Sequence, residues 1–323
     1  MVGKANIGVI GAGSWGKNHA RVFSELETSR LVGVCDLDSK KATRLAEKCG
    51  ASPYTQPEDL LENSEVEAVT ICTPTTTHYE IAQKAIEHGK HVFVEKPMVA
   101  TTKEASRLIE DSERRGVNLM VGFIERFNPG VQRIKTLIKD GVLGEVILAS
   151  ARRVGRWPRR IGDVGVVKDT AIHDFDIMRY LFEQDPHSVY ARIANSNHEL
   201  EDYAQVVLSF DGVQTGFVEA NWLTPRKIRT LTVTAKEGIA SLDYLTQEIA
   251  VEDINTMVKP SSKWKEPLMI ELKEFIQSII EARDPLVTGH DGLRALEIAE
   301  IAIKSAHRNQ VISFPEHSAN YRR

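Results

Sequence analysis

The sequence predicts two domains of different class: a doubly wound α/β domain on a parallel sheet, then an α+β domain with an open-faced antiparallel sheet. Three observations predict it. Short, wholly apolar runs alternate with helical stretches of about 10 to 15 residues through the first half. A glycine-rich turn, Gly11-Ala12-Gly13-Ser14-Trp15-Gly16, joins the first apolar run to the first helix. Beyond it, from about Glu145, apolar runs follow one another through short turns with no helix between most of them.

Strands are expected at Ile7 to Ile10, Leu31 to Cys35, Ala68 to Cys72, Val92 to Val94 and Leu119 to Phe123. Each is apolar nearly throughout, as suits a strand covered on both faces. Helices are expected around Ala20 to Leu26 and at Ser39 to Cys49, Thr77 to His88 and Thr102 to Arg115, the last opened by the capping-box spacing of Thr101 and Glu104. After a helix near Pro129 to Lys139, strands are expected at Glu145 to Val154, Val189 to Asn195, Ala204 to Phe210, Thr215 to Ala220, Ile228 to Ala235 and Ile239 to Tyr244. Asp211-Gly212, Glu237-Gly238 and the Pro225 segment supply the turn chemistry between them. Helices over Leu268 to Ala282 and Gly292 to His307 close the chain. The boundary is expected between Phe123 and Asn128, giving domains 1–124 and 125–323.

Bulk composition excludes some classes of function. With 41 basic against 45 acidic residues and a net charge of -4, the chain offers no broad basic field for nucleic acid. No apolar run approaches the ~18 residues that span a bilayer. Met1 to Asn6 enter a strand-like run without a signal-peptide core. Cys35, Cys49 and Cys72 lack metal-type spacing, and His78, Asp169, His173 and Asp174 match no known ligand pattern, so no metal is expected. A cytoplasmic protein is expected.

The glycine turn has the context a dinucleotide site requires: a strand before, a helix after, and an acid, Asp36, 20 residues beyond Gly16. Gly11 permits the tight turn, Gly13 the approach of pyrophosphate, and Gly16 close packing of helix on strand. The helix start at Ser14 and Trp15 presents N–H groups to phosphate. Asp36, with Asp38 nearby, suits ribose hydroxyls and opposes a 2′-phosphate, which favours NAD over NADP; Lys40 and Lys41 moderate that preference. Two further clusters end strands: Thr73-Pro74 with His78 behind it, and Glu95-Lys96-Pro97. Carboxyl ends of parallel strands are where open α/β sheets bind ligands. Far downstream, Asp169 and His173 are four apart, on one face if helical. Asp176 and Arg179, three apart, are read as an intrahelical ion pair.

Taken together, the glycine turn, Thr73-Pro74, His78, Glu95-Lys96-Pro97, Arg126-Phe127-Asn128-Pro129 and the Asp169/His173 helix resemble the Gfo/Idh/MocA oxidoreductase family over nearly the whole chain. The resemblance implies an N-terminal Rossmann domain and a C-terminal sheet that mediates a homodimer or homotetramer. It also implies that Lys96, Asp169 and His173 meet beside the nicotinamide, with Thr73, Pro74, His78, Glu95 and Arg126 at the cofactor, and that Pro97 shapes the turn aiming Lys96. Oxidising a sugar hydroxyl requires hydride loss from carbon and proton loss from oxygen. A lysine beside a positive ring and away from water gives up its proton more readily and can serve as base. His173 is the other candidate base, Asp169 then orienting substrate or imidazole, and the sequence leaves the choice open.

The run Arg152-Arg153-Val154-Gly155-Arg156-Trp157-Pro158-Arg159-Arg160 holds five arginines in nine residues. It reads as a solvated loop, an oligomer contact or an anion site, since guanidinium forks match phosphate oxygens and an indole offers a stacking face. Arg153, Arg156 and Trp157 are therefore substrate candidates beside Lys96, Asp169 and His173. With the Val164 to His173 run, this resembles the branch of the family acting at C3 of UDP-N-acetylglucosamine or its uronate. The alternatives are an inositol or other free-polyol dehydrogenase and, in another class, a cofactor-binding sensor or repressor without turnover.

Overall fold

A computed structural model describes residues 3–158, 163–261 and 263–314. The chain divides into two compact units, the first formed by Met1–Ile124 with Glu266–Leu293 and the second by Glu125–Lys265 with Arg294–Arg323.

In the first unit, strands β1 (Ala5–Ile10), β2 (Ser29–Cys35), β3 (Ser52–Tyr54), β4 (Ala68–Ile71), β5 (His91–Glu95) and β6 (Leu119–Gly122) form one sheet ordered β3-β2-β1-β4-β5-β6, every pair parallel. Helices α1 (Ser14–Glu25), α2 (Ser39–Cys49), α3 (Pro57–Leu61), α4 (Thr75–Glu87) and α5 (Thr102–Arg115) connect the strands. The order reverses between β1 and β4, and the carboxyl ends there carry the glycine turn and Thr73. Strand β3 and helix α3 escape the sequence reading because Pro53 and the five-residue length weaken both patterns. The expected Thr101 capping box closes α5 on its Glu104 partner.

Residues 266–293, expected in the second domain, group with the first unit. Phe275 sets its ring against Phe93 of β5, centroids 5.6 Å apart, and the Asn118 amide donates to Ser278 Oγ at 2.9 Å. Arg21 pairs with Glu266, and Val121 N–H donates to Val287 O at 3.3 Å along the β6 edge. A hydrophobic helix reads the same whichever core it enters, so its sequence carries no sign of this destination.

The second unit holds a 3₁₀ turn Ile124–Phe127 at its entry, α6 (Pro129–Lys139), β7 (Val146–Arg156), a π-helical turn Val167–Ala171 and α7 (Ile172–Phe182). Strands β8 (Ser188–Ala194), β9 (Tyr203–Ser209), β10 (Thr215–Asn221), β11 (Leu223–Ala235), β12 (Ile239–Asp243), β13 (Ile249–Glu252), β14 (Met257–Val258) and β15 (Ile312–Ser313) follow along the chain. The nine-stranded sheet runs β14-β13-β12-β11-β7-β10-β9-β8-β15. It is mixed rather than antiparallel throughout, because β10 pairs with β7 in parallel. Helix α8 (Pro267–Ile280) and α9 (Gly289–Arg308) complete the chain. Among the described residues no helix is long and apolar enough to cross a membrane, and no group of His, Cys, Asp and Glu is arranged to hold a metal ion.

Candidate functional site

Strand β1 delivers the glycine turn at its carboxyl end. Gly11 takes φ +98°, open to glycine and strained for any other residue, and its N–H donates to Cys35 O at 2.8 Å. A Cβ on Gly16 would lie 1.7 Å from Gly11 O, so helix α1 sits against the turn as only glycine allows. A Cβ on Gly13 would meet nothing within 4 Å, which leaves the turn open to a ligand. Gly13 caps α1 without any side-chain cap, and no acid lies in the first turn at Ser14, Trp15 and Gly16. Those N–H groups and the positive end of the helix are suited to an anion.

Asp36 follows β2. Its carboxylate accepts from Ala12 N–H at 2.8 Å and Asp38 N–H at 2.9 Å, which fixes it beside the turn. A cleft of about 550 Å³ opens there, walled by Gly11, Gly13, Asp36, Leu37, Thr73 and Pro74. Leu37 is 81% exposed, an apolar surface that a flat base can cover. These features fit a dinucleotide: a glycine cradle, an uncapped helix start and an acid at ribose distance in sequence.

Two residues expected at the cofactor, His78 and Glu95, brace the strand ends. His78 is buried, its Nε2 against Thr73 O at 2.9 Å and its Nδ1 against Pro97 O at 3.0 Å, tying the loop after β4 to the loop after β5. Burial pushes its pKa below the ordinary value. Glu95 is buried and meets His19 Nε2 at 3.0 Å, while His19 Nδ1 meets Thr70 Oγ1 at 2.9 Å. Burial opposes charge on His19, but Cys72 and Glu95 outweigh it and raise its pKa to about 10. Sequence reasoning passed over His19; its signal was a polar residue three past Gly16, on the inward face of α1. Lys96 is half-buried, and its bond to Pro97 is cis.

In the second unit, Asp169 lies in the π-helical turn and His173 in the first turn of α7, so the two are not on one regular helix as expected. Both are buried, 8% and 9% exposed. Thr170 Oγ1 donates to Asp169 Oδ2 at 3.1 Å and accepts from Trp222 Nε1 at 3.0 Å. π-Turns recur at functional sites because they re-aim side chains.

The charges behind α7 depart most from expectation. Arg153, expected at substrate, is 2% exposed. It donates from Nε and Nη2 to Asp174 at 2.9 Å each, and from Nη1 to Glu125 at 2.7 Å. Burial opposes its charge, but Asp174 and Glu125 hold it protonated well beyond the ordinary range. Asp176 accepts from Arg126 Nε at 2.7 Å, and Arg179 pairs with Asp185. Arg126, expected at the cofactor, is thus engaged with α7. Arg156 is exposed, its Nε donating to Pro225 O at 3.1 Å. Trp157 stacks on His198, centroids 3.5 Å apart, and meets Trp222 edge-on. Arg159 and Arg160 lie outside the described residues.

Residues 5–123 match the family described as "Oxidoreductase family, NAD-binding Rossmann fold", and residues 131–241 match the "GFO/IDH/MocA C-terminal domain". The chain belongs to the Gfo/Idh/MocA oxidoreductase family. It is 30% identical over 321 residues to the scyllo-inositol 2-dehydrogenase (NAD(+)) of Bacillus subtilis, covering 93% of each chain. It is 26% identical to the UDP-N-acetylglucosamine 3-dehydrogenase of Acidithiobacillus ferrooxidans over 90% of this chain and 94% of that one. A solved structure of the latter enzyme superposes with a TM-score of 0.87, covering 95% of this chain and 99% of that one. The protein is accordingly an NAD-dependent oxidoreductase of the group that acts on CH–OH groups of sugars and polyols.

Proposed function

We propose that the protein oxidises a ring hydroxyl of a sugar to a ketone, and that the sugar is UDP-N-acetylglucosamine or a related UDP-sugar, oxidised at C3. The observation that carries the substrate is the basic end of the β7–β11 pair, where Arg156, Arg226 and Lys227 are all exposed. A nucleoside diphosphate is a natural match for such a group. The likeness to the Acidithiobacillus ferrooxidans enzyme supports it.

Bound NAD supplies the hydride acceptor. Gly11, Gly13 and the first-turn N–H groups of Ser14, Trp15 and Gly16 would hold its pyrophosphate and Asp36 its ribose, in the cleft that Thr73 and Pro74 wall. His78 and Glu95 hold the loops after β4 and β5. Lys96 or His173 takes the hydroxyl proton as the carbon gives up hydride, and Asp169, steadied by Thr170, orients the reacting hydroxyl.

A second reading, oxidation of inositol, is favoured by the 30% identity to the Bacillus subtilis enzyme and by the burial of Arg153 away from solvent. NADH formation followed by absorbance across UDP-sugars and free polyols separates the two. Turnover of inositol alone would overturn the UDP-sugar reading. Tight NAD binding with no turnover of any sugar would favour a sensor.

A further inference from the structure

Arg229 of β11 stands opposite Arg153 of β7 in antiparallel register. Strand alternation puts it on the same sheet face as Leu231 and Val233, both fully buried. Its side chain is only 32% exposed, yet its guanidinium makes no hydrogen bond among the described residues. Its ion-pair contact is with Glu125 Oε1 at 3.5 Å, beyond good hydrogen-bond reach for this geometry. That same oxygen accepts from Arg153 Nη1 at 2.7 Å, and both Asp174 oxygens accept from Arg153. Formal charge is balanced here, two arginines against Glu125 and Asp174; the imbalance is in donors. Arg153 takes the short hydrogen bonds to both acids and leaves Arg229 with the long contact to Glu125.

Burial, then the charge of Arg153, depresses the Arg229 pKa to about 10, and the acids that offset this are Glu125, Asp174 and Asp169. Arg153, opposite Arg229, binds Asp174, the residue after His173, so Arg229 stands across from the pair that holds the His173 helix. A one-third-exposed guanidinium with one long ion-pair contact and no side-chain hydrogen bond among the described residues has donors open to the oxygens of an anionic ligand.

We propose that Arg229 is the anion-recognising residue of the substrate site on the second unit, taking two oxygens of a phosphate or carboxylate carried by the sugar. This rests on the sugar-oxidising reading above and assigns its specificity to a residue outside the arginine loop.

The test is calorimetric titration of the NADH-loaded full chain with UDP-N-acetylglucosamine, D-glucuronate, and the uncharged N-acetylglucosamine and myo-inositol. Wild type is compared with Arg229→Met and Arg229→Lys. At least one anionic probe should bind wild type, weaken about 10- to 100-fold in Arg229→Met, and recover in part in Arg229→Lys. The uncharged probes should bind both proteins alike. A response confined to the UDP-sugar identifies phosphate as the anion, and one confined to glucuronate identifies carboxylate. If wild type binds neither anion, or the variant loses all four probes equally, the assignment to Arg229 is overturned. NADH formation with the same panel is a separate readout. Its failure would sink the dehydrogenase reading and leave the binding comparison decisive for Arg229.

Discussion

Arg153 donates Nε and Nη2 to the two carboxylate oxygens of Asp174, both at 2.9 Å, with neither side chain reached by solvent beyond 2%. The pair fastens α7, and with it His173, to strand β7. Removing one partner of a buried pair leaves the other charge uncompensated, at a cost of about 3–5 kcal/mol. Arg153→Met is therefore expected to lower unfolding stability by about that amount, read from a urea denaturation midpoint. A loss under about 1 kcal/mol would mean that Asp174 and Glu125 find water or another cation, and that the pair does not hold the helix.

The contrast between Arg153 and the glycine turn explains what was legible in the sequence. Gly11, Gly13, Gly16 and Asp36 lie within 26 residues and act through backbone geometry, so spacing alone exposes them. Arg152, Arg153 and Arg156 look alike in sequence, and strand parity decides that Arg153 points inward. Its partners are 21 and 28 residues away. Asp176 shows the same effect: every side chain from Ile172 to Met178 is buried, and Arg126, which reaches Asp176, lies 50 residues away in sequence. The sheet's parallel β7–β10 pair is likewise a long-range choice that the local turn pattern does not encode.

Asp36 gives the second prediction. Its two backbone hydrogen bonds keep the carboxylate beside the glycine turn. Losing a charged hydrogen-bond acceptor costs about 1.5–3 kcal/mol, or about 10- to 100-fold in affinity. Asp36→Ala should weaken NADH binding by that factor in a fluorescence titration and reduce the preference over NADPH. Unchanged affinity for both would remove Asp36 from the ribose.

His19 couples the first unit to pH. Its folded-state pKa of about 10 stands above the ordinary 6.5, so the protonated form is favoured by folding. The stability it contributes is fully present below about pH 6.5 and is lost as pH rises through about 10. Thermal midpoints of the parent should fall across that window, and His19→Gln should flatten this component of the slope. Parallel profiles for parent and variant would show that His19 stays neutral.

Lys96→Met addresses proton transfer directly. Acid–base groups contribute roughly 10²–10⁴ in rate, so turnover should fall by that factor while NADH affinity changes little. A variant that turns over at the parent rate would leave His173 as the base. A variant that loses NADH affinity instead would make Lys96 a cofactor ligand.

Gly13 and Gly16 separate cofactor approach from folding within one turn. A methyl group on Gly13 would meet nothing within 4 Å, and its φ of -71° suits any residue, so Gly13→Ala should fold with unchanged stability. It would nevertheless occupy the space through which pyrophosphate approaches the helix start, and NADH binding should drop at least about tenfold. The same methyl on Gly16 would lie 1.7 Å from Gly11 O, a backbone atom that cannot move without shifting β1 or α1. Overpacking of that kind costs about 1–3 kcal/mol, so Gly16→Ala should lower the unfolding midpoint as well as affinity. Paired melting and binding measurements on the two variants decide the matter. If Gly13→Ala bound NADH like the parent, phosphate would not sit at this turn, whatever its glycine spacing suggests.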